Sequence, residues 1–301
     1  MNRRPDRPID ILVCTFRRPQ VARTLASLDA QELPAGHTLR IVVADNDDHP
    51  SARDTVLAAA ERMRHEVIYL HAPARNISVA RNACLDAADA DRVAFIDDDE
   101  TAAPGWLAAL LDCVDRTGAD AAFGPVQAVY GPDAPDWIRR QDHHSTIAQR
   151  RAGVVETGNA GNVMIRWRAT PWQHERFDPA LGRSGGEDTE FFFRLRRLGA
   201  RFEIAEHART FEPVDPKRLT FGWLCRRKFR TGQSYTNAAA GQAARIGLLA
   251  AAAAKVVYCM GAAAVRVNRP DETRFWMLRG IFHAGVCAGC LSVPQAQLYG
   301  E

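Results

Sequence analysis

An α/β fold is predicted, with a mostly parallel sheet flanked by helices and a helical C-terminal extension. Three observations carry this. Over the first hundred residues, short β-branched apolar runs alternate with helical periodicities. Two of those runs end on an aspartate, Asp45 and Asp97. The last eighty-five residues abandon the alternation and become basic, alanine-rich and helical. With 301 residues, 47% hydrophobic and 25% charged, the chain has the composition of an ordinary globular protein rather than a disordered one. It is long enough to bury a core without disulfide staples.

The elements follow in order. Residues 9–14 (IDILVC) read as a buried strand, and 19–29 as a helix with Val21, Leu25 and Leu28 on one face. Residues 39–44 (LRIVVA) form a second strand, 51–64 an alanine-rich helix, and 66–71 a short third strand. Residues 77–88 read as a helix and 92–96 (RVAFI) as a fourth strand. Strands alternating with helices imply βαβ units and a parallel sheet, whose ligands bind beyond the carboxyl ends of the strands. Residues 106–116 read as a helix, 121–129 as a strand, and 162–166 (NVMIR) as another. Residues 130–151 mix Pro, Asp, His and Arg, so they read as a loop or short helix lying over the site. Residues 188–198 form a helix stopped by Gly199.

The chain divides near residue 215. Residues 217–301 hold 12 Lys/Arg against 3 Asp/Glu, leaving 27 against 33 in the first 216. A basic tail suits an anionic partner such as a membrane surface or a phosphorylated lipid, and no nucleic-acid partner is expected. Residues 217–231 and 275–291 read as helices around a mostly apolar stretch, 246–265, which contains Lys255. A membrane span, an interfacial helical hairpin and a packed soluble helix stay open for it. The N-terminal run MNRRPDRPIDILVCTF has no apolar h-region or cleavage site, so no secretory signal is expected. The seven cysteines, an odd number in mostly apolar surroundings, fit a reducing compartment. The expected location is cytoplasmic, or the cytoplasmic face of the inner membrane. Cys287-x-x-Cys290 lacks the second ligand pair of a zinc site.

Several motifs carry chemistry. Asp97, Asp98 and Asp99 repel one another, a cost offset where a divalent cation sits among them. If the strand stays extended, Asp97 and Asp99 point the same way. A solvated turn is the alternative. Gly185-Gly186-Glu187-Asp188 opens a helix, where the dipole favours an ionised Asp188 suited to general-base chemistry, or where Asp188 or Thr189 simply caps the helix. Asp45 suits a nucleobase or ribose, or a turn. Arg81 suits a phosphate or base, or a solvated helix face. Gly158 and Asn159, in TGNAGN, offer backbone and amide groups to a sugar, or form an ordinary turn.

The order of these motifs is more specific than any one of them. VCTFRRP, VVADND, SVARNACLDAA, FIDDDETAAPGW, TGNAGNVMIR, FDPALGRSGGEDTEFFFRLRRLG and RRKFRTGQS occur in sequence. The chain in this respect resembles the family 2 glycosyltransferases of the GT-A fold, over roughly residues 8–235. The resemblance implies an inverting, metal-dependent transferase taking a nucleotide-diphospho-sugar, a UDP-sugar by preference, with Mn²⁺ or Mg²⁺ and a glycan or lipid-linked acceptor. It implies that Thr15 and Arg17 lie against the nucleotide, that Asp45 recognises the base, and that Arg81 lies near the uracil or diphosphate. Asp97 then faces the ribose and Asp99 the metal, with Asp97 also in the metal set and Asp98 between them. Asp188 is the implied base, with Glu187 beside it and, with Gly158 and Asn159, toward the acceptor. Arg194 falls on the arginine of an E-x-x-x-R element counted from Glu190. Cys14 and Phe16 depart from the family's common Pro and Tyr, and RRKFRTGQS matches the processive element only loosely, which points to single-sugar addition. A sugar nucleotidyltransferase and a non-catalytic glycan-binding relative are the alternatives. The former commonly has a glycine-rich loop where TFRRPQ stands, and the absence of G-x-G-x-x-G after a strand argues against a dehydrogenase.

Overall fold

The computed structural model describes residues 7–238 and 242–294. The basic N-terminal residues 1–6, on which the signal-peptide reading partly rests, lie outside the described residues. The first half is a run of β1 (Arg7–Thr15), α1 (Val21–Asp29), β2 (His37–Asp45), α2 (Arg53–Ala60), β3 (Glu66–His71), α3 (Ile77–Ala87) and β4 (Arg92–Asp97). These four strands pair in parallel in the order β3-β2-β1-β4. Their apolar runs are continuous because both faces are covered. Ile9, Ile11 and Val13 enter one core with α1, while Leu12 and Cys14 enter the other with α3.

Beyond β5 (Thr101–Ala102) and α4 (Trp106–Thr117), the sheet grows by one strand antiparallel to both its neighbours and a parallel pair at the edge. β6 (Ala121–Phe123), β10 (Asn162–Arg166) and β11 (Phe202–Ile204) complete a seven-stranded sheet, order β11-β6-β10-β4-β1-β2-β3. The expected single strand over 121–129 is two strands. β6 stays in the large sheet, while β7 (Val126–Val129) joins a second sheet with β5 and β12 (Thr210–Pro213). The break is at Gly124-Pro125. Proline donates no ladder hydrogen bond, and a Cβ on Gly124 would meet the Ala208 carbonyl at 2.1 Å.

The expected loop over 130–151 contains α5 (Asp136–Gln141) and β8 (Arg150–Arg151), the latter paired with β9 (Val154–Val155). α5 does not cover the sheet edge. Ile138 packs with Leu224 and Leu278 under the C-terminal helices. His144 stacks on Trp223 and bonds the Arg218 carbonyl through Nε2. α6 (Glu187–Arg197) lies against the α3 side of the sheet through Phe191, Phe192 and Leu195.

Three helices end the described chain: α7 (Phe221–Ala238), α8 (Gln242–Val265) and α9 (Pro270–Cys290), the last with Pro270 at its first turn. α7 and α9 touch at glycines. A Cβ on Gly232 would lie 2.1 Å from the Phe282 carbonyl, and one on Gly285 only 1.9 Å from the Phe229 carbonyl.

Candidate active site

The register places the functional loops in one row. Thr15 pairs with Asp45, Asp45 with His71, and Cys14 with Asp97, all at the carboxyl edge of the parallel strands. Each loop leaving this edge is tied to its neighbour. Asn46 donates its N–H to the Thr15 carbonyl, and its side chain accepts the Asn76 N–H. Asn76 caps α3 and reaches Pro179 O, and a Cβ on Gly182 would fall 1.8 Å from its Oδ1.

Asp45, the residue expected to meet a base, ends β2 at this edge. It is fully buried, and its oxygens accept the Asp47 and Ala52 N–H groups and the Tyr69 hydroxyl at 3.1, 2.8 and 2.9 Å. These bonds shape the loop after β2. Arg17, from the β1–α1 loop, grips Asp47 of that loop through Nε and a terminal nitrogen at 3.0 and 2.9 Å. That fork holds the Asp47 carboxyl down at about 2. Thr15 is buried at the end of β1.

The three aspartates diverge. β4 ends at Asp97, and the Glu100 N–H donates to the Asp97 carbonyl, closing a turn. The extended geometry that would aim Asp97 and Asp99 alike therefore stops at Asp97. Asp97 is half-exposed and lies 3.6 Å from Arg81. Asp98 is buried, accepts the Phe16 N–H, and is pushed up to about 6 by burial against the opposing pull of Arg18. Asp99 pairs with Arg18 in the β1–α1 loop. Glu100 is buried as well, and burial beside Asp97 pushes its carboxyl well up. Gly161 leaves room for both, since its Cβ would meet Glu100 at 2.7 Å and Asp97 at 2.9 Å.

Among the described residues no three His, Cys, Asp or Glu side chains converge as a metal cage. The triplet offers oxygen ligands from Asp97 and Asp99 only, since Asp98 turns inward. One or two carboxylates fit a hard divalent cation that takes its remaining oxygens from phosphates and water. A cleft of about 490 Å³ opens beside Asp99, lined by Arg17, Arg18, Arg23, Thr101 and Arg218 among others.

On the other side of Asp97, Arg81 is the centre of a buried charge cluster. It lies 2.5 Å from Glu187 and both side chains are buried. Burial works against the Arg81 charge, but Glu187, Asp97 and Asp188 outweigh it and hold the guanidinium protonated. Gly185 and Gly186 both have φ near +90°, at +86° and +91°, and this left-handed turn opens α6. Gly186 rather than a side chain caps the helix, and Asp188 accepts the Thr189 N–H. Asp188 is half-buried, within the first turn. Glu187 faces Arg81. Thr157 bonds the Thr189 carbonyl, bringing the segment with Gly158 and Asn159 to the same turn. Gly158 rests on the Phe123 ring, 2.3 Å from where its Cβ would be. Arg194 grips Glu190 and Glu175, stiffening α6 one turn on.

Sequence reasoning passed over Arg18, Glu100, Gly161 and Gly182. The doubled arginine of TFRRP and the fourth acid of FIDDDE were the available signals. Gly161 lies in the Gly/Asn-rich TGNAGN and Gly182 in FDPALGRSGGED, but the close contacts each makes come from distant parts of the chain.

Residues 10–171 match the model of glycosyl transferase family 2. The chain is 41% identical over 295 residues to the succinoglycan biosynthesis protein ExoM of Rhizobium meliloti (strain 1021), covering 97% of this chain and 96% of that one. Among solved structures it resembles the mannosyltransferase PcManGT from Pyrobaculum calidifontis in complex with GDP-Man and Mn²⁺. The TM-score is 0.63 at 19% identity, over 97% of this chain and 91% of that one. It also resembles S. aureus TarS 1-349 in complex with UDP-GlcNAc, with a TM-score of 0.53 at 15% identity, over 77% and 71% of the two chains. The fold is thus shared with glycosyltransferases of the GT-A type, and by the family match and the 41% identical relative this chain belongs to glycosyl transferase family 2.

Proposed function

We propose that this glycosyltransferase inverts the anomeric centre as it moves a sugar from a nucleotide-diphosphate donor, a UDP-sugar first among them, to an acceptor hydroxyl in bacterial polysaccharide or glycolipid assembly. The observation that carries the reading is the row Thr15, Asp97, Arg81, Glu187, Asp188 along one sheet edge, with an arginine-lined cleft at its other end. The likeness to a succinoglycan protein supports the pathway class, and the nucleotide-sugar complexes of two structural neighbours support the donor class.

In this reading Asp188 removes the acceptor hydroxyl proton as that oxygen attacks the anomeric carbon and the bond to the diphosphate breaks. Glu187 positions Arg81, and Arg81 holds Asp97. Thr15, Arg17 and the loop shaped by Asp45 receive the nucleoside. Arg18 and Arg218 face the diphosphate. Asp98 holds the β1–α1 loop by its bond to Phe16, and Gly158 and Asn159 border the acceptor. Asp99 and Asp97 would hold Mn²⁺ or Mg²⁺, which when bound supplies Lewis-acid charge to the leaving group. Residues 1–215 form the transferase unit and residues 216–301 an accessory one, at the cytoplasmic face of the membrane where a lipid-linked acceptor is met.

Calorimetry with UDP-, GDP- and dTDP-sugars, with and without Mn²⁺, tests the donor site. We expect metal-dependent binding of one donor that Asp99→Ala abolishes. Asp188→Asn should keep that binding while transfer slows about 10²- to 10⁴-fold. Folded wild type that binds no donor in the presence of metal would remove the reading.

A further inference from the structure

The outward face of α8 has no part in the transfer reaction, yet it exposes Ile246, Val257 and Val265. α8 packs on α9 through Ala252, Cys259 and Ala263, which are buried on one face. At about 100° per residue, the opposite face carries Ile246, Ala250, Val257, Gly261 and Val265. Of these, Ile246 and Val257 are each 74% exposed and Val265 is 84% exposed. Lys255, in the middle of the stretch, lies about 60° from the line of Ala252 and about 120° from the centre of the exposed face. The outward face is therefore free of charge along its length, and the lysine stands at its flank, where its stem can reach aside.

Length and composition alone would let Ala244–Val265 cross a membrane. Its packing argues otherwise. α9 runs antiparallel along it, with Trp276 on Tyr258 and Cys287 at the Leu249 carbonyl. Arg274, Arg279 and His283 lie along α9, and α9 is joined to α7 by the close approach at Gly285. A spanning α8 would carry the Arg274 and Arg279 charges into hydrocarbon.

The charge around the face selects the partner. In the α8–α9 pair, residues 242–294, there are six Lys or Arg and two acids, Asp271 and Glu272. Asp271 pairs with Arg140 and Arg274, and Glu272 with Arg266 and Arg269. A second copy docking through a two-fold axis would set this basic surround against itself. An anionic bilayer complements it.

We propose that α8 lies flat on a membrane of anionic phospholipid, outward face in the acyl boundary and basic flanks at the headgroups. This deepens the proposed function and rests on it only in supplying the surface where a lipid-linked acceptor is met. α7 transmits the placement, since Ser234 abuts Gly186 at the turn carrying Asp188, 2.7 Å from where a Gly186 Cβ would be.

Flotation of the full chain with vesicles, without donor, tests the contact. Vesicles of phosphatidylcholine with a third phosphatidylglycerol should bind about tenfold more protein than phosphatidylcholine alone. Raising NaCl from about 0.1 M to about 0.5 M should remove most of that preference. Val257→Asp with Val265→Asp should lower binding about tenfold or more while leaving donor calorimetry unchanged, so that loss of lipid binding and loss of the donor site are read separately. Equal binding to neutral vesicles, no binding at all, or a dimer that Val257→Asp splits would overturn the proposal.

Discussion

The carboxyl edge of the sheet and the C-terminal helices hold themselves together by opposite means. At the sheet edge, ionisable groups are taken inside: Arg81 and Glu187 as a buried pair, Asp45 against backbone N–H groups and the Tyr69 hydroxyl, and Glu100 buried beside Asp97. In α7–α9 the joints are backbone against backbone at glycines, and the fully buried side chains are apolar or uncharged, Gln233 and Thr236 among them. The first arrangement sets side chains at fixed positions, which chemistry requires. The second makes a stiff slab with a featureless outer face, which suits contact with something fluid. The two regions should therefore fail in different ways when single residues change.

Removing a charge from the sheet edge is expected to do the most damage. Arg81→Met leaves Glu187 buried with no cation and should destabilise the fold by about 3–5 kcal/mol. Unfolding by urea measures this, and the double variant with Glu187→Gln should recover most of the loss. If Arg81→Met alone costs less than about 1 kcal/mol, the cluster is held by something other than its charge pairing.

How far the sequence showed this contrast depended on how local each feature is. The alternation of β1 to β4 was legible because apolar run, turn and periodicity all lie within about a dozen residues of one another. The Gly124-Pro125 break was present in the sequence as turn chemistry, yet it was overridden by the apolar run on either side. The surroundings of Asp45 were not legible in isolation. Its bond from the Tyr69 hydroxyl forms only once β2 and β3 pair. The same applies to Glu187, whose partner Arg81 comes from a helix far earlier in the chain. The position of Lys255 beside the apolar face rather than on it was, by contrast, available from helical spacing alone; what the structure added was which face α9 covers.

The helical slab should be most sensitive to a methyl group. In Gly285→Ala the new Cβ would lie 1.9 Å from the Phe229 carbonyl, so α9 must lift from α7. Overpacking of this kind costs about 1–3 kcal/mol. The same variant should weaken lipid and acceptor placement while sparing donor binding at the sheet edge. Thermal melts together with donor calorimetry separate the two, and a parallel loss of donor affinity would mean that the regions are less independent than their construction implies.

The seam between the regions predicts the smallest effect. His143 and His144 sit where the segment after α5 meets α7, and burial drives both down to about 4. An unfolded chain protonates these rings near 6.5. Between those values the unfolded state holds more protons than the folded one, so stability falls as pH drops from about 6.5 toward about 4 and is level above that window. His143 keeps some contact with solvent, which limits its effect to roughly 1 kcal/mol. His144 stacks on Trp223 and donates from Nε2 to the Arg218 carbonyl, a bond the protonated ring keeps; the cost of protonation is a buried charge beside Arg227 and Arg218, which loosens the slab rather than the sheet. Urea midpoints at pH 7 and pH 5, for wild type and His144→Gln, check the sign. The variant should be less stable at pH 7 and less sensitive to acid, and an equal pH dependence in both would place the titrating group elsewhere.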